Sequence, residues 1–394
     1  MKISRRRFLL STAVVGGGVL IGYSALKPSK HRRANALLAK GEERYVTSFI
    51  KIEPNNKITI YVPHSEMGQG VHTSLPMMAA DELDAAWEDI TVEQAPAIDM
   101  FANGELVKGF AGELGAPSFL TGIINASAVT VAEVMNLQTT GGSSSVRFTG
   151  ESSMRTAGAA ARQMLVECAA NRWGIAADEC STQLTHVQHN VSGRSLSYGE
   201  LAADAAQLEP PENVTLKDPS QFTIMGKAIS RVDIPAKVNG TAVYGIDAQR
   251  EDMLYAAIRL APVFGTKLVS VDVGDVLSRR GVKRIIELED SVAVVADSYW
   301  RAKEALKLVK SEFESSDADT TSSADLFAGF ERNLSEDKNS KVLEVGDVEA
   351  AMNDAADVIE GNYTVPYLAH AAMEPMNCTV HIHDGIAEVW TSTQ

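Results

Sequence analysis

The sequence predicts an α+β protein, and three observations carry that expectation. Residues 45–96 read as strand, glycine loop, helix and strand. A long alanine-rich helix is expected from about Ser153 to Arg172. Beyond a composition break at Glu209-Pro210-Pro211-Glu212, short strands recur with few helices between them. In the first block Ile58, Ile60 and Val62 alternate with polar or amphipathic neighbours, the pattern of a half-buried strand. Leu75, Met78, Ala79, Leu83 and Trp87 recur at helical spacing between Ser74 and Trp87, with Pro76 expected in the first turn, where its missing N–H costs little. A second strand is expected over Asp89–Glu93. Residues 101–139 are apolar but glycine-punctuated and carry no assignable period. In the long helix Met154, Gly158, Ala161, Leu165, Cys168 and Arg172 share one side, and the alanines from Ala157 to Ala161 allow close packing. Later strands are expected at Met253–Ile258, Val292–Ala296, Val358–Val365, Asn377–His383 and Ala387–Thr391. A helix is expected over Ser298–Val309 and a flexible connection over Ser315–Ala324.

The bulk composition narrows the function. A chain of 394 residues with an ordinary apolar fraction can bury cores for two or three domains. Its formal charge of −15 argues against nucleic acid as the main partner, because such binders need a cationic face. The charge is unevenly spread: residues 1–36 carry eight Lys/Arg and no acid, so without them the charge would be −23. Ser4-Arg5-Arg6-Arg7-Phe8-Leu9 leads into an apolar, glycine-containing run to about Leu26, which is the twin-arginine export pattern. Ala34-Asn35-Ala36 offers a small-residue cleavage site, though one far from the apolar run. That run, of roughly 18 residues, is near the lower limit for crossing a bilayer, so retention as an anchor stays open. The expected location is periplasmic, with the chain exported already folded. The cysteines are Cys168, Cys180 and Cys378, too few and too scattered for an iron–sulfur cluster, which needs four ligands.

Two glycine loops stand out, each ahead of a helix. Gly68-Gln69-Gly70 is not a dinucleotide fingerprint, since Thr73 stands where a third glycine belongs. Two readings are open for it. One is a tight structural turn. The other is a cradle in which helix N–H groups meet an anion and Gln69 meets a heterocycle edge, donating and accepting at once. Thr140-Gly141-Gly142-Ser143-Ser144-Ser145 repeats that logic with hydroxyls. Taken together the loops favour a divided binding site. His186 with His189, and His381 with His383, are pairs that could touch a metal, but solvated or hydrogen-bonded imidazoles are the ordinary state of such residues. Glu113, in an apolar glycine-rich setting, is a weak general-base candidate.

With those motifs in view the chain resembles the molybdopterin-binding large subunits of the xanthine dehydrogenase/aldehyde oxidase family. The nearest branch is that of exported isoquinoline 1-oxidoreductase beta subunits. The stretches carrying the resemblance are Met67–Thr73; Thr140–Ser145; Gly226-Lys227 through Arg231-Val232-Asp233 to Lys237–Tyr244; and Val365–His370 through Met373–Cys378 to Trp390-Thr391-Ser392-Thr393-Gln394. The glycine–glutamine loop precedes the third stretch here, as in the isoquinoline branch, whereas in most of the family it follows. The resemblance implies molybdopterin-binding segments at 45–208 and 340–394 flanking an α/β-hammerhead domain at 217–314, preceded by a signal helix in 1–36. Gln69 then matches the glutamine that hydrogen-bonds the pterin, within Gly68 and Gly70. Gly142, Ser143 and Ser145 match the loop holding the phosphate, and Gln394 matches the glutamine that donates to an oxo group on molybdenum. No protein atom is a metal ligand in this scheme. The implied cofactor is molybdopterin cytosine dinucleotide with molybdenum, and the implied partner a small subunit carrying two [2Fe–2S] clusters. The implied reaction is hydroxylation of an N-heterocycle, or oxidation of an aldehyde, with water as the oxygen source. The family's general-base glutamate lies downstream of the residue matching Gln394, so the sequence reads as a truncated large subunit, expected to be inactive alone. A non-enzymatic, exported, partner-binding protein without cofactor is the alternative.

Overall fold

The computed structural model describes residues 28–104, 106, 108, 129–211, 213–316, 320–335 and 345–393. The twin-arginine segment, Glu113 and Gln394 lie outside the described residues. The chain divides into two compact units, one up to Ala242 and joined by Thr393, the other from Val243 to Ser392.

The first unit is built on a four-stranded sheet of β1 (Arg44–Tyr45), β2 (Ile50–Ile52), β3 (Ile58–Val62) and β4 (Ile90–Gln94), in that spatial order. The first two pairings are antiparallel, and β3 pairs with β4 in parallel, Ile58 opposite Ile90. A parallel pair needs a crossover, which is α2 (Val71–Leu83). Ile58, Ile60 and Val62 join Val71, Leu75, Ala79 and Leu83 in the principal core. The alternation of β3 does not mean one wet face. Thr59 and Tyr61 are buried too, because the opposite face is covered by a second cluster. There Tyr61 stacks on Tyr45 at 5.5 Å and meets Phe101 at 5.6 Å. Part of that cover is α1 (Lys30–Leu37), which the sequence reading placed in the basic leader. Ala34 is fully buried, and Asn35 clasps Tyr45, its Oδ1 accepting from the backbone N–H at 2.9 Å and its Nδ2 donating to the carbonyl at 2.7 Å.

Two helix boundaries differ from expectation. α2 starts directly after Gly70 and ends at Asp84 in a left-handed conformation, so Trp87 falls in a separate short 3₁₀ turn. Pro76 therefore sits in the second turn, where its ring removes an internal hydrogen bond. The long helix α3 spans Arg155–Trp173 but continues a π-helical run over Ser145–Met154. Met154, Ala161, Leu165 and Cys168 are buried as the pattern requires, whereas Arg172 turns to the surface and pairs with Asp204 at 2.7 Å. Burial pushes the Cys168 thiol up to about 11, which leaves it a packing residue. After α3 come the antiparallel strands β5 (Ser181–Gln183), β6 (His186–His189) and β7 (Arg194–Ser197), then α4 (Tyr198–Ala205) and the short α5 (Ile234–Asn239). Ser197 and Glu200 cap α4 reciprocally.

A buried charge cluster fastens residues 217–225 to these helices. Asp81, fully buried on α2, accepts from the N–H groups of Thr223, Ile224 and Met225 at 2.7–3.1 Å. Glu82, equally buried, accepts from Arg155 Nε at 2.8 Å and from the Lys217 N–H at 3.1 Å.

The second unit contains a sheet ordered β10 (Val282–Glu287), β11 (Ser291–Ala296), β8 (Tyr255–Leu260), and a pair of β9 (Leu268–Asp272) with β12 (Lys310–Phe313). Helix α6 (Tyr299–Leu306), capped by Ser298, buries Ala302, Ala305 and Leu306 against β8 and β11. Helices α7 (Ser323–Ser335) and α8 (Val348–Asp354) follow. The polar run expected to be a connection thus already enters α7 at Ser323. Residues 358–365, expected as a strand, form none: they have strand-like composition but no pairing partner among the described residues, and Ile359 is 97 % exposed. The last element is a hairpin of β13 (Cys378–His383) and β14 (Ile386–Thr391), turned at Asp384-Gly385, both with positive φ. Its open end is held by Glu374, whose carboxylate accepts from Asn377 Nδ2 at 2.8 Å and from the Ser392 hydroxyl.

Candidate functional site

The first glycine loop is closed by a residue that sequence reasoning passed over. Glu66 Oε1 accepts from the N–H groups of Gly68 and Gly70 at 2.8 and 2.9 Å, and Oε2 accepts from the His72 N–H at 3.1 Å. Gly70 and His72 supply two of the orphan donors at the start of α2, so the anion at this helix terminus is the protein's own carboxylate. Burial alone would raise the Glu66 carboxyl; the N–H groups of Gly70, His72 and Gly68, with the Arg231 guanidinium 3.1 Å away, hold it below its usual range. Arg231 also donates to the Gly68 carbonyl at 2.9 Å and pairs with Asp233 at 2.6 Å. Gly68 and Gly70 have φ of 101° and 81° and open space beside Cα, so glycine is required there by backbone conformation. The expectation of free N–H groups at this loop is thereby corrected. What the loop presents is the Gln69 amide, half-buried, donating to the Ser65 carbonyl at 2.9 Å and accepting from the Met67 N–H at 2.6 Å.

The second loop keeps an open helix terminus. A continuous helical run starts at Ser143, with Gly142 and Ser143 exposed, so the positive end of its dipole lies at the Gly-Ser turn, where the Ser145 N–H donates to the Gly142 carbonyl at 3.2 Å. Ser145 is fully buried instead: its hydroxyl accepts from the Gly141 N–H at 2.8 Å and donates to the Gly141 carbonyl at 2.6 Å. Its role is therefore to shape the loop. Gln69, Gly142 and Ser143 line one concavity of about 620 Å³, together with Met78, Val146, Arg147 and Glu151. Glu151 is occupied by Arg155 at 2.7 Å. Arg147, one turn into the helical run, brings a cation to the same wall. A Gly-Ser-Ser-Ser-Val-Arg spacing was the available signal for it.

A buried polar relay joins the two loops. Ser65 N–H donates to Thr140 Oγ1 at 2.9 Å. His64, fully buried, lies 2.8 Å from Thr149 Oγ1 through Nε2 and 3.4 Å from Asn103 Nδ2 through Nδ1. Asn103 in turn donates to the Thr139 carbonyl. Ser65 Oγ also donates to the carbonyl of Thr393 at 2.8 Å. Burial, with the nearby His72, lowers the His64 pKa to about 4, against a hydrogen bond to the Thr139 carbonyl that opposes the shift. The folded protein thus binds fewer protons than the unfolded chain between about pH 4 and 6.5, and stability rises with pH across that window. Urea unfolding should lose about 3 kcal/mol from pH 6.5 to 4, and His64→Gln should flatten this slope. Asp81, whose pKa lies below the ordinary value, contributes only at still lower pH.

The histidines of β6 make local contacts. His186 Nδ1 lies 2.8 Å from the Leu184 carbonyl, and His189 Nδ1 lies 2.7 Å from Ser192 Oγ.

Comparison with known proteins bears on what fills the concavity. A molybdopterin cofactor-binding domain model matches residues 12–109, and a second model of the same description matches residues 332–394. The beta subunit of isoquinoline 1-oxidoreductase from Brevundimonas diminuta is 30 % identical over 438 residues, covering 100 % of this chain and 52 % of that one. The chain thus carries two segments that match molybdopterin cofactor-binding domains and is similar along its whole length to this subunit. A second relative, membrane-bound aldehyde dehydrogenase [pyrroloquinoline-quinone] of Gluconacetobacter polyoxogenes, is 29 % identical over 411 residues, covering 100 % of this chain and 48 % of its own. The large molybdopterin subunit of nicotinate dehydrogenase from Eubacterium barkeri is 28 % identical over 204 residues, covering 44 % of this chain and 48 % of its own. The chain spans about half the length of the first two relatives. Its concavity fits the cofactor: an amide with both hydrogen-bonding senses on one wall, and an open helix terminus with an arginine on the other, suit a phosphorylated heterocycle.

Proposed function

We propose that the chain is the cofactor-binding part of a molybdenum hydroxylase large subunit that hydroxylates N-heterocycles or oxidises aldehydes. What supports the reading is the single concavity that gathers Gln69 from one loop with Gly142 and Ser143 from the other. In it Gln69 orients the pterin edge, the N–H groups at Gly142 and Ser143 receive the phosphate, and Arg147 balances its charge. Glu66 fixes the first loop and Ser145 the second. Gln394 is assigned to the oxo group by resemblance. The bound group would supply a Lewis-acidic, redox-active centre for transfer of oxygen from water. We assign the cytosine dinucleotide form, a small [2Fe–2S] subunit as electron acceptor, and twin-arginine export to the periplasm to the same reading.

Replacing Gln69 by alanine removes a donor and an acceptor from the wall while leaving the Glu66 network in place. Pterin retained by the purified protein should fall about tenfold, the worth of one or two hydrogen bonds, with unchanged circular dichroism. Heterocycle- or aldehyde-dependent reduction of an artificial acceptor should fall in parallel. Equal retention would remove Gln69 from the site. A second reading, a partner-binding protein without cofactor, draws on the exposed apolar residues Ile359, Tyr363, Leu368, Met373 and Met376. It requires that the wild-type protein carry no pterin.

A further inference from the structure

We propose that His381, His383 and Glu388 form a binding site for one divalent transition-metal ion, zinc, clasping the terminal hairpin. His381 and His383 are two apart on β13 and so share a face, and Glu388 on β14 stands directly opposite His381. The two imidazoles stack with centroids 4.6 Å apart. Glu388 Oε2 lies 3.5 Å from His381 Nδ1 and 3.2 Å from His383 Nε2, and one ligand atom from each of the three residues lies within 4.8 Å of the others. Tetrahedral zinc with ligands at about 2.0–2.1 Å separates neighbouring ligand atoms by about 3.3 Å, so both carboxylate-to-imidazole spacings are already those of a shared ion.

Two further features favour a metal over a plain ion pair. His381 Nδ1 is buried and has no hydrogen-bond partner, though it faces the carboxylate. His383 has its other nitrogen, Nδ1, 3.5 Å from Asp384 Oδ2 in the turn, the carboxylate–histidine arrangement that leaves Nε2 for a metal. Arg250, stacked on Trp390 at 4.1 Å, is the nearby cation that tempers the charge of Glu388. Two imidazoles and one carboxylate leave a fourth position for water. An ion there would join strands that as a lone two-stranded hairpin are only marginally stable. The site shares no residue with the molybdopterin concavity.

The test is calorimetric titration of the chelator-treated full chain with zinc chloride at pH 7.5, repeated with cobalt(II) for its visible spectrum. One ion per chain with micromolar affinity and a tetrahedral cobalt band are expected. His381→Ala, His383→Ala and Glu388→Gln should each weaken binding at least about tenfold, in line with the loss of a ligand. In the unmutated protein, zinc should protect His381 and His383, but not His186, from diethyl pyrocarbonate modification read by mass spectrometry. Absence of binding at about 100 μM zinc, where a micromolar site would be saturated, would overturn the proposal. So would binding that none of the three substitutions weakens, or protection that spares neither histidine.

Discussion

Gly158→Ala should destabilise the first unit by about 3 kcal/mol, the upper range for overpacking a tight contact, read as a lower urea midpoint for the Trp87 and Trp173 fluorescence change. In a free helix the same change would stabilise by up to about 1 kcal/mol, so the sign itself is diagnostic. The reason lies at the crossing of α2 and α3. A Cβ on Gly158 would collide with the Ala79 carbonyl oxygen and come within 2.9 Å of Glu82 Cβ. Neither is the tip of a flexible side chain, so α2 must move, and with it the Gly70 terminus that carries Gln69. Pterin retention should therefore fall along with stability. A variant of wild-type stability would mean that the two helices do not cross so closely.

Glu82→Ala should cost about 3–5 kcal/mol, the usual loss when one member of a buried ion pair is removed. Arg155 keeps Glu151 as a partner at 2.7 Å and still donates to the Lys217 carbonyl at 2.8 Å, which places the effect at the lower end. The Lys217 N–H, however, loses its acceptor entirely. The local consequence is release of residues 217–225 from α2, so limited proteolysis should cut there in the variant and not in the wild type. Glu82→Gln, which keeps an acceptor without the charge, should lie between them. If all three resist protease alike, the charge cluster does not fasten this segment.

Two of the four strands in the first unit's sheet were legible in the sequence, while the short β1 and β2 were not, and the reasons are physical. β3 and β4 announce themselves by alternation, and each falls within a residue of expectation. The second covered face of β3 was not legible, because Tyr61 and Thr59 look like solvent-facing residues until Tyr45, Phe101 and α1 are placed over them. The start of α2 was missed for a related reason. Helix caps are sought in the residue just before the helix, yet here the capping carboxylate arrives from Glu66 while Gly70 supplies the left-handed backbone. That same fact redistributes the roles of the two loops. Gln69, Gly142 and Ser143 do meet in one concavity, and Ser145 serves the loop. Residues 358–365 show the limit of composition, since a β-prone segment becomes a strand only when another strand accepts its hydrogen bonds.

The central claim is that the helix terminus at Ser143 receives the phosphate of a molybdopterin held across from Gln69. The most direct measurement is the molybdenum and pterin content of Ser143→Asp, purified beside the wild type from cofactor-replete cells. A carboxylate at that terminus complements the helix dipole and should leave stability unchanged or raise it by about 0.3–1 kcal/mol. It would also occupy and repel the phosphate position, so cofactor content should fall more than about tenfold in a protein that is no less stable. A stable Ser143→Asp protein with wild-type molybdenum and pterin content would contradict the account.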